Sequence, residues 1–487
     1  MTGGALRAKA ADRLWPLACV LAAIATYLPS LSASFQFDDW SVIVGDGRVA
    51  SAASWAASMP GIRPLLKLTY ALNNELGGQP AQFRAVNIAV HATNTLLVYA
   101  LLHTLAASQG RDPRVARSAA VASALIFALH PVQTEAVTYV SGRSSSLSAC
   151  FALASLLLWA RSAGASRPLW RWIASLLLFA LALAVKETVV VLPLAMALWY
   201  RVAQPLSASS SASFPFGRAP LAPAAAHLAL SGVALAVALA WQPYQRLLEA
   251  SVHARGIGTN LLTQADAIFW FFGQLACITP VNPDPALPAA SVSDAASWVR
   301  AFVILSAIAA GIHQLRRRPA LGFGTLWFFL WLLPTNSVLP RLDVANDRQL
   351  YVALIGPAWL VGLAAAQLAP GQKPTGARLG PIASTAMQVA LFGALAFLTI
   401  RQNRIYADEV AFWEAVAQRS PASARAANNL GIAYAIACRP NDATREFDRA
   451  VRLDPQDVRA RVNARLLHEG TLPAPALEAH CGQHPRD

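Results

Sequence analysis

Residues 14–40 read LWPLACVLAAIATYLPSLSASFQFDDW, an apolar run long enough to cross a bilayer followed within a few residues by two adjacent carboxylates, Asp38 and Asp39. A membrane helix needs about 20 apolar residues. Acidic side chains close to hydrocarbon are costly unless they face water or a reaction cavity, so the pair marks either a solvated loop or an active site. Basic residues precede the run at Arg7, Lys9 and Arg13. Positive charge collects on the cytoplasmic side of membrane helices, which puts the Asp pair on the outer side.

Working outward, the rest of the chain repeats the same grammar. Apolar residues make up 56% and charged residues 13% of the 487, and the mean hydropathy is +0.43, values that exclude an ordinary soluble domain. Further apolar runs fall near 86–108, 117–130, 144–160, 172–185, 188–200, 223–242, 298–314, 320–334, 351–369 and 381–400, giving eleven expected spans with the first. Alternate loops are basic: Arg111, Arg114 and Arg117; Arg161, Arg167 and Arg171; Arg201 and Arg218; Arg316 to Arg318; Lys373 and Arg378. The other loops hold Asp38, Asp39, Asp46, Glu75, Glu135, Glu187, Glu249, Asp284, Asp343 and Asp347, so the N terminus is expected inside and the C terminus outside. On this count residues 261–279, with Trp270, Phe271 and Phe272, form an interfacial or re-entrant piece, with Asp266 and Gln274 turned from lipid. The net charge of +14 then reports orientation and contact with anionic lipid, and does not require nucleic acid.

The five cysteines show no framework or metal spacing; a Cys438–Cys481 bridge is one open pairing. No N-x-[ST] acceptor occurs, which favours a bacterial inner membrane, with the endoplasmic reticulum as the alternative. The first helix has no good small-residue cleavage site and is expected to remain as a span.

After Arg401 the chain turns polar and helical. Leu430, Gly431, Tyr434, Ala443, Phe447, Ala450 and Pro455 match one tetratricopeptide repeat over about 424–457, with weaker neighbours on either side. The expected organisation is therefore all-α: a membrane bundle over 1–400 with an outer loop at 34–85, a repeat region over 401–470 and a tail at 471–487. A single hairpin cannot bury its apolar face alone, so the repeat is expected to dock on the bundle or on a protein partner.

Several polar residues stand at outer helix ends. Arg84, Asn87, His91 and Asn94 share one helical face, expected to line a cavity, although His91 also fits a bundle histidine. Glu135, Tyr139 and Arg143 follow the third apolar run. Lys186 and Glu187 separate two short runs, either as a tight outer hairpin or as a buried ion pair. Arg341, Asp343, Asp347, Arg348 and Tyr351 precede the tenth run, and their cations suit a phosphate.

FDD after the first helix, then RPLLKLTYALN (63–73), VNIAVHATNTLLVY (86–99), HPVQTEAVTYVSGR (130–143), VKE (185–187), DRQLY (347–351) and the repeat tail together resemble the transmembrane and tetratricopeptide-repeat proteins related to protein O-mannosyltransferases, of the GT-C glycosyltransferase superfamily. The resemblance covers roughly residues 14–457. It implies a multispan transferase that takes a sugar from a polyprenyl-phosphate donor at the outer face, with inversion at the anomeric carbon. Asp38 or Asp39 would be the general base, Asp38 being preferred and Asp39 orienting or binding the acceptor. Arg143, Lys186 and Arg348, with Arg63 behind them, would meet the leaving phosphate, and Glu135 and His91 would hold sugar hydroxyls. The chain departs from the family pattern where a Glu and an Arg usually precede the LY pair, and in having little more than one repeat. Mannose is implied only by the relatives. The acceptor is a protein, lipid or glycan hydroxyl; no ligand cluster requires a metal, and a divalent cation is left open. A lipid or polysaccharide flippase and a membrane scaffold that uses the repeat to bind a partner are the alternative readings.

Overall fold

A computed structural model describes residues 2–162, 168–203, 221–277, 279–341, 343–367 and 381–469, and the described residues form helices and turns without strands. Arg167, Arg218, Lys373, Arg378, Cys481 and the 471–487 tail lie outside them. Helix α1 (Thr2–Tyr27) runs into a tight turn at Leu28–Ser32, where Pro29 ends the regular helix. After the outer loop come α2 (Pro64–Glu75) and α3 (Pro80–Ser108), the latter started by a reciprocal Gln79–Gln82 capping box with Pro80 in its first turn. Then follow α4 (Pro113–Leu129), α5 (Arg143–Ala160), α6 (Pro168–Val185), α7 (Leu192–Val202), α8 (Leu221–Ala240), α9 (Gln242–Ala254) and α10 (Ile257–Leu275). The membrane part ends with α11 (Ala295–Arg317), α12 (Pro319–Leu332), α13 (Ile355–Gln367) and α14 (Pro381–Asn403).

Six stretches are long and apolar enough to cross a membrane: Leu14–Ser32, Pro80–Ser108, Val140–Ala160, Pro168–Val185, Ala295–Arg317 and Ile382–Tyr406. The number rises to nine if each of three bent pairs is one span, the bends being 55° at His130, 79° at Trp241 and 54° at Leu354. The count of eleven is therefore corrected. Helix α7 has 11 residues and α12 has 14. At about 1.5 Å per residue, both fall short of the roughly 30 Å hydrocarbon layer. Lys186 and Glu187 shorten the first of these runs by forcing a turn over Glu187–Val191. Helix α10 is not among the candidate spans; its Asp266 accepts from Arg300 at 2.8 Å and from Ser297 at 2.8 Å, and Gln274 donates to Thr279 at 2.6 Å.

The bundle carries large apolar side chains on its perimeter and buries polar ones within an otherwise apolar core, a pattern that suits a protein solvated by lipid. Leu17, Leu21, Leu177, Leu305 and Phe397 face outward, whereas Arg84, Asn87, His91 and Asn94 on α3 are fully buried. Such a perimeter, with several membrane-length helices, makes this an integral membrane protein. Small residues let helices approach where no hydrophobic force drives them together. A Cβ on Gly356 of α13 would stand 2.2 Å from the Gly324 carbonyl oxygen of α12, so this crossing exists only with glycine on both sides.

Four further helices, α15 (Glu409–Arg419), α16 (Ala424–Ile436), α17 (Pro440–Leu453) and α18 (Val458–His468), stack as antiparallel neighbours. Gly431 leaves room for the Phe447 ring, 2.7 Å from where a Cβ would sit. They rest on the bundle through Arg425, which donates to Asp284 at 2.9 Å and Asp343 at 2.6 Å, and through Asn282, which donates to Ser420 at 2.9 Å.

Candidate functional site

The outer loop after α1 makes a sharp turn at Phe37, whose φ of +46° is left-handed. That turn sends the two aspartates in different directions. Asp39 is fully buried and accepts from the Gln36 amide (3.1 Å), the Ser141 amide (2.8 Å) and the Ser141 hydroxyl (2.6 Å). Burial pushes its carboxyl up to about 6 despite those donors. Asp38 instead lines a cavity of about 430 Å³, its amide donating to the Tyr139 hydroxyl at 3.0 Å.

The cavity wall is cationic. Arg48, Arg63, Lys67, Lys186, Arg341 and Arg348 line it, and Asp38 is its sole carboxylate among the described residues. Four of the six cations have partners behind the wall. Asp46 pairs with Arg48 at 2.6 Å and Lys67 at 3.2 Å. Glu187 accepts from Arg63 Nε at 3.0 Å, and although burial opposes ionisation, Arg63 draws the Glu187 carboxyl down to about 2. Glu135 lies 3.5 Å from Arg348 Nε and accepts from the Arg348 amide at 2.8 Å. Lys186 and Arg341 have no carboxylate within ion-pairing distance among the described residues. Lys186 is buried and its ammonium donates to Ser145 Oγ at 2.7 Å. Burial, then the fields of Arg63, Arg348 and Arg341, hold its pKa well below the ordinary lysine range.

Local sequence explains this convergence. Arg63 caps α2 from a left-handed conformation, φ +54°, just before Pro64. Lys67 and Tyr70 then follow one helical face beneath it, at intervals of four and three. The break after α6 turns Lys186 and Glu187 apart, so Glu187 meets Arg63 across the loop rather than its neighbour. Trp241 and Pro243, at the bend between α8 and α9, complete one side.

Two expected site residues lie elsewhere. Arg143 is fully buried outside the cavity lining, donating to Asn87 Oδ1 at 2.7 Å, Asn73 Oδ1 at 2.8 Å and the Phe83 carbonyl at 2.9 Å, with the Tyr70 ring 5.0 Å away. His91 is also buried outside it, bonded to the Tyr351 hydroxyl at 2.8 Å and the Ala128 carbonyl at 3.1 Å. The α3 stripe thus joins helices instead of lining a cavity: Asn94 donates to Ser146 O at 2.8 Å and Arg84 to Thr138 O at 3.0 Å. Glu135 and Asp39 stand one hydrogen bond behind the wall. The residues missed in the sequence are Arg48 and Lys67 as wall cations, whereas Arg341 stands in the cavity as its grouping with Arg348 suggested. The spacing of Lys67 from Arg63 was the available signal for one of them. No group of three or more His, Cys, Asp or Glu able to hold a metal occurs among the described residues.

No family model matches the chain. It is 33% identical over 157 residues to the human protein O-mannosyl-transferase TMTC4, covering 28% of this chain and 21% of that protein. It is 32% identical over 155 residues to Tmtc1 of Drosophila melanogaster, covering 28% and 17%, and 29% identical over 168 residues to human TMTC2, covering 31% and 19%. The chain thus matches about a fifth of the length of these curated relatives. Among solved structures, the Archaeoglobus fulgidus oligosaccharyltransferase tethered with an acceptor peptide aligns with a TM-score of 0.41 at 14% identity, over 90% of this chain and 58% of that one. The same archaeon's oligosaccharyltransferase AglB with an inhibitory peptide and dolichol-phosphate gives 0.40 at 12% identity, over 90% and 59%. This chain is an all-helical integral membrane protein similar, over the matched part of its length, to protein O-mannosyl-transferases.

Proposed function

We propose that the protein is a membrane glycosyltransferase that moves a sugar, with mannose the first candidate, from a polyprenyl-phosphate donor to a hydroxyl acceptor at the outer face. The observation that carries this reading is the cavity itself, a wall of six cations facing a single carboxylate. Two of those cations lack a carboxylate of their own, and charge held out of water without a partner is unfavourable until an anion arrives. A phosphodiester brings one negative charge, and bond cleavage at the anomeric carbon leaves a phosphate monoester with two. Lys186 and Arg341 are placed to stabilise that increase, which favours the transition state over the ground state.

In this mechanism Asp38 takes the proton from the acceptor hydroxyl as its oxygen bonds to the anomeric carbon. The bond from that carbon to the phosphate oxygen breaks on the opposite side, the electron pair leaves with the polyprenyl phosphate, and configuration inverts. Asp39, spent on Ser141 and Gln36, fixes the turn that presents Asp38. We place the site at the periplasmic face of a bacterial inner membrane, with the N terminus cytoplasmic and the C-terminal helices acting as a repeat region on the outer side.

The test uses purified protein in lipid with radiolabelled polyprenyl-phosphate mannose and a pool of native envelope acceptors. Transfer is expected from the wild type. Asp38→Asn should lose about 10²–10⁴-fold in turnover while retaining donor affinity, the range for losing a general base. Binding of several such donors without transfer of any label, or full turnover by Asp38→Asn, would overturn the reading as stated.

A further inference from the structure

The segment joining the bundle to the C-terminal helices runs along the back of the Asp38 turn and is bonded to it at successive points. The Ser34 amide donates to the Ala407 carbonyl at 3.1 Å, and Gln36 Nε2 donates to the Tyr406 carbonyl at 3.2 Å. The Phe37 ring stands edge-on to Trp413 with centroids 5.3 Å apart. Glu409, the first residue of α15, accepts from Trp40 Nε1 at 3.0 Å, and its carboxylate also lies close to the Phe37 amide. Helix α15 therefore meets both flanks of the aspartate pair, Trp413 against Phe37 before it and Glu409 bonded to Trp40 after it. The contact matters because Phe37 is bulky and left-handed, a conformation that persists only where the surroundings hold it. Nothing in the loop's own sequence would favour it, since no glycine stands at 37.

We propose that Glu409 is a positioning residue that, through its bond to Trp40, holds the turn that aims Asp38 into the cavity, making the start of the C-terminal helical region part of the working site. The proposal rests on the transferase reading for its consequence in turnover. Its structural half is measurable without it.

The experiment compares full-length wild type, Glu409→Ala, Trp40→Phe and the double variant in lipid. Amide hydrogen exchange is followed over residues 34–45 and over α15–α18, alongside transfer from polyprenyl-phosphate mannose. Glu409→Ala should quicken exchange over 34–41 at least tenfold while α16–α18 keep their protection. It should lower kcat by about 10–100-fold with donor Kd within twofold of wild type, part of the range a positioned general base supplies. Trp40→Phe should give a smaller loss of the same kind, and the double variant should match Glu409→Ala because both changes break one contact. Unchanged exchange over 34–41 would overturn the proposal whatever the activity does. So would loss of protection throughout α15–α18, since Glu409 would then be supporting the whole region and not the turn. If wild type transfers no sugar from any donor tried, the transferase reading fails, and the exchange comparison still decides whether Glu409 holds the turn.

Discussion

Adjacent aspartates of equal charge end in opposite environments because one left-handed residue, Phe37, precedes them. Asp39 sits among three donors yet is fully buried, and its carboxyl rises from 3.8 to about 6. Its native pKa lies above the unfolded one, so the folded state holds the extra proton and stability falls as pH rises from about 4 to about 6. The difference is worth about 3 kcal/mol at 1.36 kcal/mol per unit. Asp39→Asn should flatten this part of the curve, read as Tm against pH between 4 and 7; an unchanged slope would reassign it. Lys186 poses the opposite problem, a buried amine at the cavity wall that donates to Ser145 and has no carboxylate within ion-pairing distance among the described residues. Removing it relieves a desolvated charge, so Lys186→Ala should leave Tm equal or higher. The same change should weaken donor binding about 10–100-fold, the loss of one charge-assisted contact. A fall in Tm with unchanged affinity would make Lys186 a purely structural residue.

Elements were more legible in the sequence than their meeting points. Among the described residues all eleven apolar runs fall mainly on helices, because hydropathy is a local property, but whether each one crosses depends on length and bend. The polar stripe on α3 was likewise visible as a face at helical spacing. Sequence cannot say whether the facing surface is a void or another helix. Here the facing surfaces are protein, so His91 meets Tyr351 and Ala128, and Arg143 is consumed by Asn73, Asn87 and Phe83. Asp38, Arg63, Lys186 and Arg348 do converge, from four separate stretches. The 130–143 segment shows how tightly such convergence is built. A Cβ on Gly142 would lie 1.9 Å from the Glu135 carbonyl oxygen, which is backbone and cannot step aside. Gly142→Ala should therefore cost about 1–3 kcal/mol by overpacking and displace Ser141 from Asp39. Reduced Tm with faster exchange at Ser141 is the expected result, and a neutral effect on both would show that the segment can relax.

At the scale of the whole molecule, the C-terminal helices are tied to the bundle on its loop side. Arg425 bridges Asp284, which is buried, and Asp343, which is more open. Arg425→Ala would strand the Asp284 carboxylate. Because the guanidinium is about a third exposed, solvent screening reduces the loss to about 1–2 kcal/mol of docking free energy. Faster exchange over residues 280–286 and 401–409 together, with α1–α6 unchanged, is the expected signature; unchanged exchange there would show that the neighbouring Ser420 contacts suffice. The unpaired cations of the cavity also bear on ordinary bench practice. A basin holding Lys186 and Arg341 without counter-charge of their own will draw in whatever small oxyanion the solution offers, with an occupancy set by its concentration. Inorganic phosphate or sulfate in a purification buffer would thus act as a competitive inhibitor and a stabiliser at once. Thermal stability that climbs with added phosphate while apparent donor affinity declines would be one equilibrium seen from two sides.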